Sequence, residues 1–187
     1  MMFAQIGQLI IETIANFFVF ALLLRFYMQL FRAPFRNPVG QFLAAVSNWM
    51  VLPARRVIPG LFGTDLATLV LAWLIQVLAM LLIGVMHGAV NFTGAVGLIL
   101  PIAAIELLRH SLRMLIVLVI IQVVVSWMNS YTPLTPLFDA LTRPFYSFFR
   151  RFIPPIGSVD LSPLFVVLLA QIGLLLVGGL SAMIVRL

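Results

Sequence analysis

Residues 150–163 read RRFIPPIGSVDLSP, and residues 55–68 read RRVIPGLFGTDLAT. Each stretch holds two arginines, an Ile-Pro pair and an Asp-Leu six residues after the proline, so Arg55, Arg56, Ile58, Pro59, Asp65 and Leu66 match Arg150, Arg151, Ile153, Pro154, Asp160 and Leu161 at one offset. The match runs on to Gln76 and Gln171. Upstream it continues with slips of three and two residues: Asn37-Pro38 answers Thr135-Pro136, and Arg25 with Gln29 answers Gln122 with Ser126. The chain is therefore read as an internal duplication within one domain, 1–187. The copies are 6–90 and 112–187, joined by a segment at 91–111.

Composition sets the surroundings of both copies. With 64% hydrophobic and 9% charged residues, and a mean hydropathy of +1.21, the chain lies outside the range of soluble domains. Its apolar blocks are long and continuous rather than alternating, which selects spanning helices over a barrel. Four blocks reach the roughly 20 residues a crossing needs: Ile6–Phe31, Leu66–Met86, Leu112–Met128 and Pro163–Val185. A fifth, Gly94–Leu108, is shorter and carries Pro101. It reads as re-entrant, interfacial or an extension of the third span. The expected fold is all-α integral membrane, with two tandem repeats in the same orientation and this short extra apolar segment at 94–108. The N-terminus lacks a basic n-region and a small-residue cleavage site, so it is expected to remain as the first span.

Cysteine is absent, which excludes disulfides, thiolate catalysis and cysteine metal sites. The formal charge of +6 comes with eleven arginines placed along span boundaries, a pattern that fits orientation and anionic headgroups rather than nucleic acid. Arg25, Arg32, Arg36, Arg55 and Arg56 flank the first basic loop, and Arg143, Arg150 and Arg151 the second. The positive-inside rule puts both in the cytoplasm, which an even number of intervening crossings permits. Arg109 and Arg113 then fall on the outer side, where Glu106 is spaced to pair with Arg109 or His110.

Between the spans of each copy the spacing predicts a helix in the headgroup plane. Phe138, Leu141, Phe145, Phe148 and Phe152 recur at three- and four-residue steps against Asp139, Arg143, Tyr146 and Arg150. The first copy sets Phe42, Val46 and Trp49 against Gln41, Asn48 and Arg55. Pro38 and Pro136 suit helix starts, while Pro53 and Pro144 are expected to bend or interrupt. Arg55, Arg56, Arg150 and Arg151 of the repeated motif, with Arg143 of the preceding helical segment, are candidates for docking lipid or a partner, or else serve topology alone. Asp65 and Asp160 are candidate caps for the following spans. Gln76 and Gln171 each lie about 16 Å into a span, near mid-membrane. With Gln122 and Arg25 they form a polar set that bonds between helices or lines a path.

Motifs for catalysis are missing: no HExxH, GxSxG or phosphate-cradling loop occurs. Too few ionisable groups fall at one depth for an enzyme site. His87 and His110 carry no spacing that marks a haem or metal pair, and no cofactor or metal is expected. Gly173 with Gly178-Gly179, and Gly84 with Gly88, suit close helix packing.

Taken together, the duplicated RR-x-I-P with its following Asp-Leu, the Asn-Pro or Thr-Pro helix start and the RRFIPPIGSVDLSP stretch resemble the YggT (YlmG) family of small bacterial membrane proteins. The first copy departs by having Ala67-Thr68 for Ser-Pro, and Arg143 stands where an acidic residue is common. The resemblance implies a multi-pass protein of the bacterial inner membrane with no defined reaction. It further implies links to osmotic stress tolerance, potassium handling, division or complex assembly. Two functions follow as expectations: a non-enzymatic organiser or assembly factor docking anionic lipid or a protein partner, and an ion channel or transport component. Expected partners are the phospholipid bilayer with its anionic headgroups, an unidentified membrane protein and a second copy of the chain, but no nucleic acid.

Overall fold

A computed structural model describes residues 2–60, 64–88, 95–127, 132, 134–152 and 160–185. Six helices follow in order among them: α1 (Met2–Leu30), α2 (Pro38–Val57), α3 (Leu66–Met86), α4 (Ala95–Trp127), α5 (Thr135–Phe149) and α6 (Ser162–Val185). Four of these, α1, α3, α4 and α6, are long and apolar enough to cross a membrane. The chain is all-helical, duplicated and built as a multi-pass membrane protein.

The apolar block at 94–108 is not a separate element. Gly94 lies outside the described residues, and from Ala95 onward the chain runs as one 33-residue helix through Pro101 to Trp127. The separate connecting segment expected at 91–111 is thus largely the first half of α4. A proline in the second turn removes one amide, which the many bonds downstream outweigh. At about 50 Å, α4 exceeds a core of roughly 30 Å. Met128 likewise lies outside the described residues.

The first span ends on backbone chemistry. Arg32 adopts a left-handed φ of 53°, the Arg32 amide donates to Gln29 O at 3.1 Å and the Ala33 amide to Met28 O at 2.8 Å. This two-bond closure satisfies the last carbonyls of α1. Six residues later α2 starts at Pro38, its first turn capped by Asn37, whose Oδ1 accepts the Gly40 amide at 2.8 Å. Only glycine fits at position 40, because a Cβ there would stand 2.2 Å from Phe35 O. Pro53 and Pro144 enter α2 and α5 without interrupting either helix.

Spans pair within each copy, α1 with α3 and α4 with α6, and α4 also packs on α3. Between α1 and α3, Gly7 meets Met86 and His87 Nε2 lies 2.8 Å from Gln8 Oε1, so the antiparallel register sets Phe20 level with Trp73. Trp73 Nε1 donates to Leu100 O at 3.1 Å, while the Phe20 ring lies 5.2 Å from the His110 ring. Two residues about 15 Å apart along α4 thus reach one level of the α1/α3 pair. α4 crosses that pair obliquely, and α6 follows it, with Gly173 against Leu112 and Ser181 Oγ accepting from Arg109 Nη2 at 2.8 Å. A tilted path lets a 33-residue helix fit a thinner bilayer.

The connecting helices gather at one end of the bundle. Leu43 and Val51 of α2 and Leu137, Phe138 and Leu141 of α5 share a core with Val19, Leu22, Leu23 and Met28 of α1. The Phe31 and Phe145 rings meet edge to face at 5.9 Å, joining the first copy to the second. Which faces pack differs from the reading by periodicity. α2 buries Gly40, Leu43, Ser47 and Val51 while Phe42 and Trp49 are exposed; α5 buries Tyr146 along with Leu137, Phe138, Leu141 and Thr142 while Phe148 is exposed, as is Phe152 just beyond the helix.

Candidate functional site

The repeated motif folds into the same ion pair twice. Arg55 donates through Nε at 2.9 Å and Nη2 at 2.5 Å to Asp65 Oδ2, and Arg150 donates through the same two atoms at 2.9 and 2.6 Å to Asp160 Oδ2. The paired arginines are therefore not equivalent: the first of each pair is held by the aspartate ten residues on. Arg56 and Arg151 are exposed, without a hydrogen bond or ion pair among the described residues. Ile153 and Pro154 lie outside the described residues.

The two aspartates differ from simple caps. Asp65 precedes α3 without capping it; its Oδ2 takes Arg55 and the Thr68 hydroxyl at 2.5 Å. Burial pushes the Asp65 carboxyl up, but the bonds from Arg55, Thr68 and Gln29 and the Arg55 charge outweigh it and hold the carboxyl below the usual range. α2 and α3 are thereby tied at one carboxylate. Asp160 Oδ1 accepts the Ser162 amide at 2.9 Å at the start of α6. Burial opposes its charge too, and the Ser162 and Arg150 bonds again keep its pKa low.

The glutamines and Arg25 do not form one mid-membrane set. Buried Arg25 turns to α2, donating from Nη1 to Ser47 Oγ at 2.6 Å and Asn48 Oδ1 at 2.8 Å. Gln122 donates to Asp139 of α5. Gln171 is exposed on α6, and no hydrogen bond joins it to Gln76. A deep polar residue on a lipid-facing stripe and one on a packed stripe look alike in sequence.

Gln76 instead belongs to a constellation that sequence separation hid. Glu12 and Asn16 from α1, Gln76 from α3, and Glu106, His110 and Arg113 from α4 line one cavity of about 350 Å³. Glu106 accepts Arg109 Nη1 at 2.5 Å, the three-residue pairing its spacing predicts, and Gln8 Nε2 donates to Glu12 Oε1 at 2.7 Å. Gln76 Oε1 and His110 Nδ1 are buried without a partner. Ionisable groups do converge, because α4 crosses α1 and α3. The i, i+4, i+7 spacing of Glu106, His110 and Arg113 is the signal that was available. His87 lies apart, against Gln8. Among the described residues no three His, Cys, Asp or Glu side chains are grouped to hold a metal ion.

A second cavity, of about 500 Å³, is lined only by apolar residues. Phe17, Phe20 and Leu24 of α1, Phe42 of α2, Met114 and Val117 of α4 and Phe138 of α5 surround it. It sits between the spans and both connecting helices.

The profile of one family, described as CCB3/YggT, matches residues 4–86 and 101–181, one segment for each copy. The chain belongs to the CCB3/YggT family. Relatives agree over most of its length: an uncharacterized protein of Pseudomonas aeruginosa is 37% identical over 93% of this chain and 89% of its own. A Vibrio alginolyticus protein encoded in the proC 3' region is 30% identical over 91% and 92%, and YggT of Escherichia coli K12 is 29% identical over 87% and 84%. No solved structure matches. In CCB3/YggT terms, the first matched segment carries α1 to α3 and the second most of α4 through α6.

Proposed function

We propose that this chain is a non-enzymatic organiser of the bacterial inner membrane that holds anionic phospholipid at its arginine-bearing end. The supporting observation is the all-apolar cavity bounded by both connecting helices, at the end where arginines are exposed. Arg32, Arg36, Arg56, Arg143 and Arg151 are exposed there and lack ion pairs among the described residues. Phe42, Trp49, Phe148 and Phe152 are exposed beside them. Guanidinium groups recognise phosphate, amphipathic aromatic surfaces favour the headgroup level, and an apolar slot takes an acyl chain. The positive-inside rule assigns this end to the cytoplasm, as an assembly or stress-tolerance factor docking lipid or protein partners there requires.

The test is the melting temperature of the purified chain in nanodiscs of phosphatidylglycerol and of phosphatidylcholine. Phosphatidylglycerol is expected to stabilise it. Arg56→Glu with Arg151→Glu is expected to abolish the difference while insertion persists, and Val117→Trp, at the cavity wall, to reduce it. Equal melting in the two lipids sinks the reading.

The polar cavity favours a second reading, a transport component. Gln76→Leu is then expected to remove a solute or ion flux measurable in reconstituted vesicles, whereas Gln171→Leu, on the exposed face, leaves it unchanged. Absence of flux above empty vesicles removes this reading.

A further inference from the structure

The cavity between α1, α3 and α4 presents unmet hydrogen-bonding capacity of two kinds, at two depths. Its buried part offers acceptors. Gln76 Oε1 has no partner, and Glu12 and Glu106 each commit one oxygen to a neighbour on their own helix, Gln8 or Arg109, which leaves the other carboxylate oxygen for a ligand. His110, only 5% exposed and edge-on to Phe20, has an unpartnered Nδ1 that accepts or donates according to tautomer. Its mouth offers a cation: Arg113 is exposed, with no ion pair among the described residues.

Charge balance narrows the ligand class. The carboxylates of Glu12 and Glu106 are offset by the guanidinium groups of Arg109 and Arg113, so these four groups leave no net attraction for a lone cation or a lone anion. A molecule carrying both charges complements it at both ends and leaves the balance intact. A volume of about 350 Å³ falls within the range of small-molecule pockets. The unpartnered amide oxygen of Gln76 and the uncommitted carboxylate oxygens can only accept, so they select an ammonium that carries N–H groups over one that is fully methylated.

We propose that this cavity binds a small zwitterion with a primary ammonium, the ammonium on Gln76 Oε1 and the free oxygens of Glu12 and Glu106, and the carboxylate at Arg113. Binding here requires neither lipid docking nor flux, so failure of either reading above leaves this test intact.

A matched set of probes on the full-length chain in nanodiscs tests it by titration calorimetry. L-Alanine carries both groups, its N,N,N-trimethyl derivative lacks N–H donors, ethylammonium lacks the carboxylate and propionate lacks the ammonium. L-Alanine is expected to bind at least about tenfold more tightly than each of the other three, since one lost buried hydrogen bond or charge contact is worth about that factor. Gln76→Leu replaces an unpaired amide by an apolar group, so the variant is expected to keep its basal melting temperature and lose at least about tenfold in L-alanine affinity. Arg113→Gln is expected to lose the preference for L-alanine over ethylammonium. No binding by any probe, equal binding of L-alanine and its trimethyl derivative, or wild-type affinity in a folded Gln76→Leu variant overturns the assignment.

Discussion

Arg55 and Arg150 make the same bonds to aspartates, yet their surroundings differ. The Asp65 side chain is 7% exposed and that of Asp160 29%, with Arg150 itself 57% exposed. Water screens the second pair more than the first, in which Arg55 is 41% exposed. Asp65→Ala is therefore expected to cost about 1–3 kcal/mol, chiefly by stranding the buried Thr68 hydroxyl. Asp160→Ala is expected to cost less than about 1 kcal/mol. Thermal denaturation in detergent compares them, and equal losses would contradict the burial ranking. Acid acts through the same carboxylate. Because the folded Asp65 pKa lies below its ordinary 3.8, its stabilising contribution is complete above that value and is lost as pH falls through the folded pKa. Melting temperature is expected to fall on acidification below about pH 4, and less steeply in Asp65→Asn. This ion pair was legible in part. The constant ten-residue interval between opposite charges in both copies was visible in the chain, but arginines next to a bilayer and aspartates before a helix have ordinary local roles, and those took precedence.

The entry to α2 shows what an element needs beyond its propensity. Asn37 and Pro38 mark the start in sequence, and the cap they predict is present. Gly40 carried no such signal, since its constraint comes from Phe35 O across the turn. Gly40→Ala is expected to destabilise by about 1–3 kcal/mol through the shift it forces on backbone. Gly97→Ala, in α4 with open space around the added carbon, is expected to be neutral or stabilising by up to about 1 kcal/mol. A reversed order in chemical denaturation would show that the turn is not the constraint. For α5 the apolar period was real but did not say which side meets protein. Phe138 and Leu141 pack inward while Phe148 stays exposed, and the Tyr146 hydroxyl, pushed up to about 12 chiefly by burial, is on the packed side. A helix with protein on one flank and lipid on another is apolar toward both, so hydrophobicity alone cannot orient it.

At the scale of the molecule, two copies in like orientation require Arg56 and Arg151 on one side of the bilayer. The chain has no cysteine, so Arg56→Cys and Arg151→Cys introduce single thiols. Both are expected to react with a membrane-impermeant reagent from the same side, and Gly88→Cys, beyond the far end of α3, from the opposite one. Reaction of the first two from different sides would break the duplication into inverted halves. The sequence by itself determined the membrane class, the four crossings and the repeat, because apolar run length and motif spacing are local properties that no neighbour has to supply. Only the tertiary structure decided which polar groups meet. The oblique path of α4 brings Glu106, His110 and Arg113 to Glu12 and Gln76 while Gln171 is left outside. In a chain where lipid and protein are equally apolar, helix order is written in hydropathy, but helix rotation and crossing are set by packing.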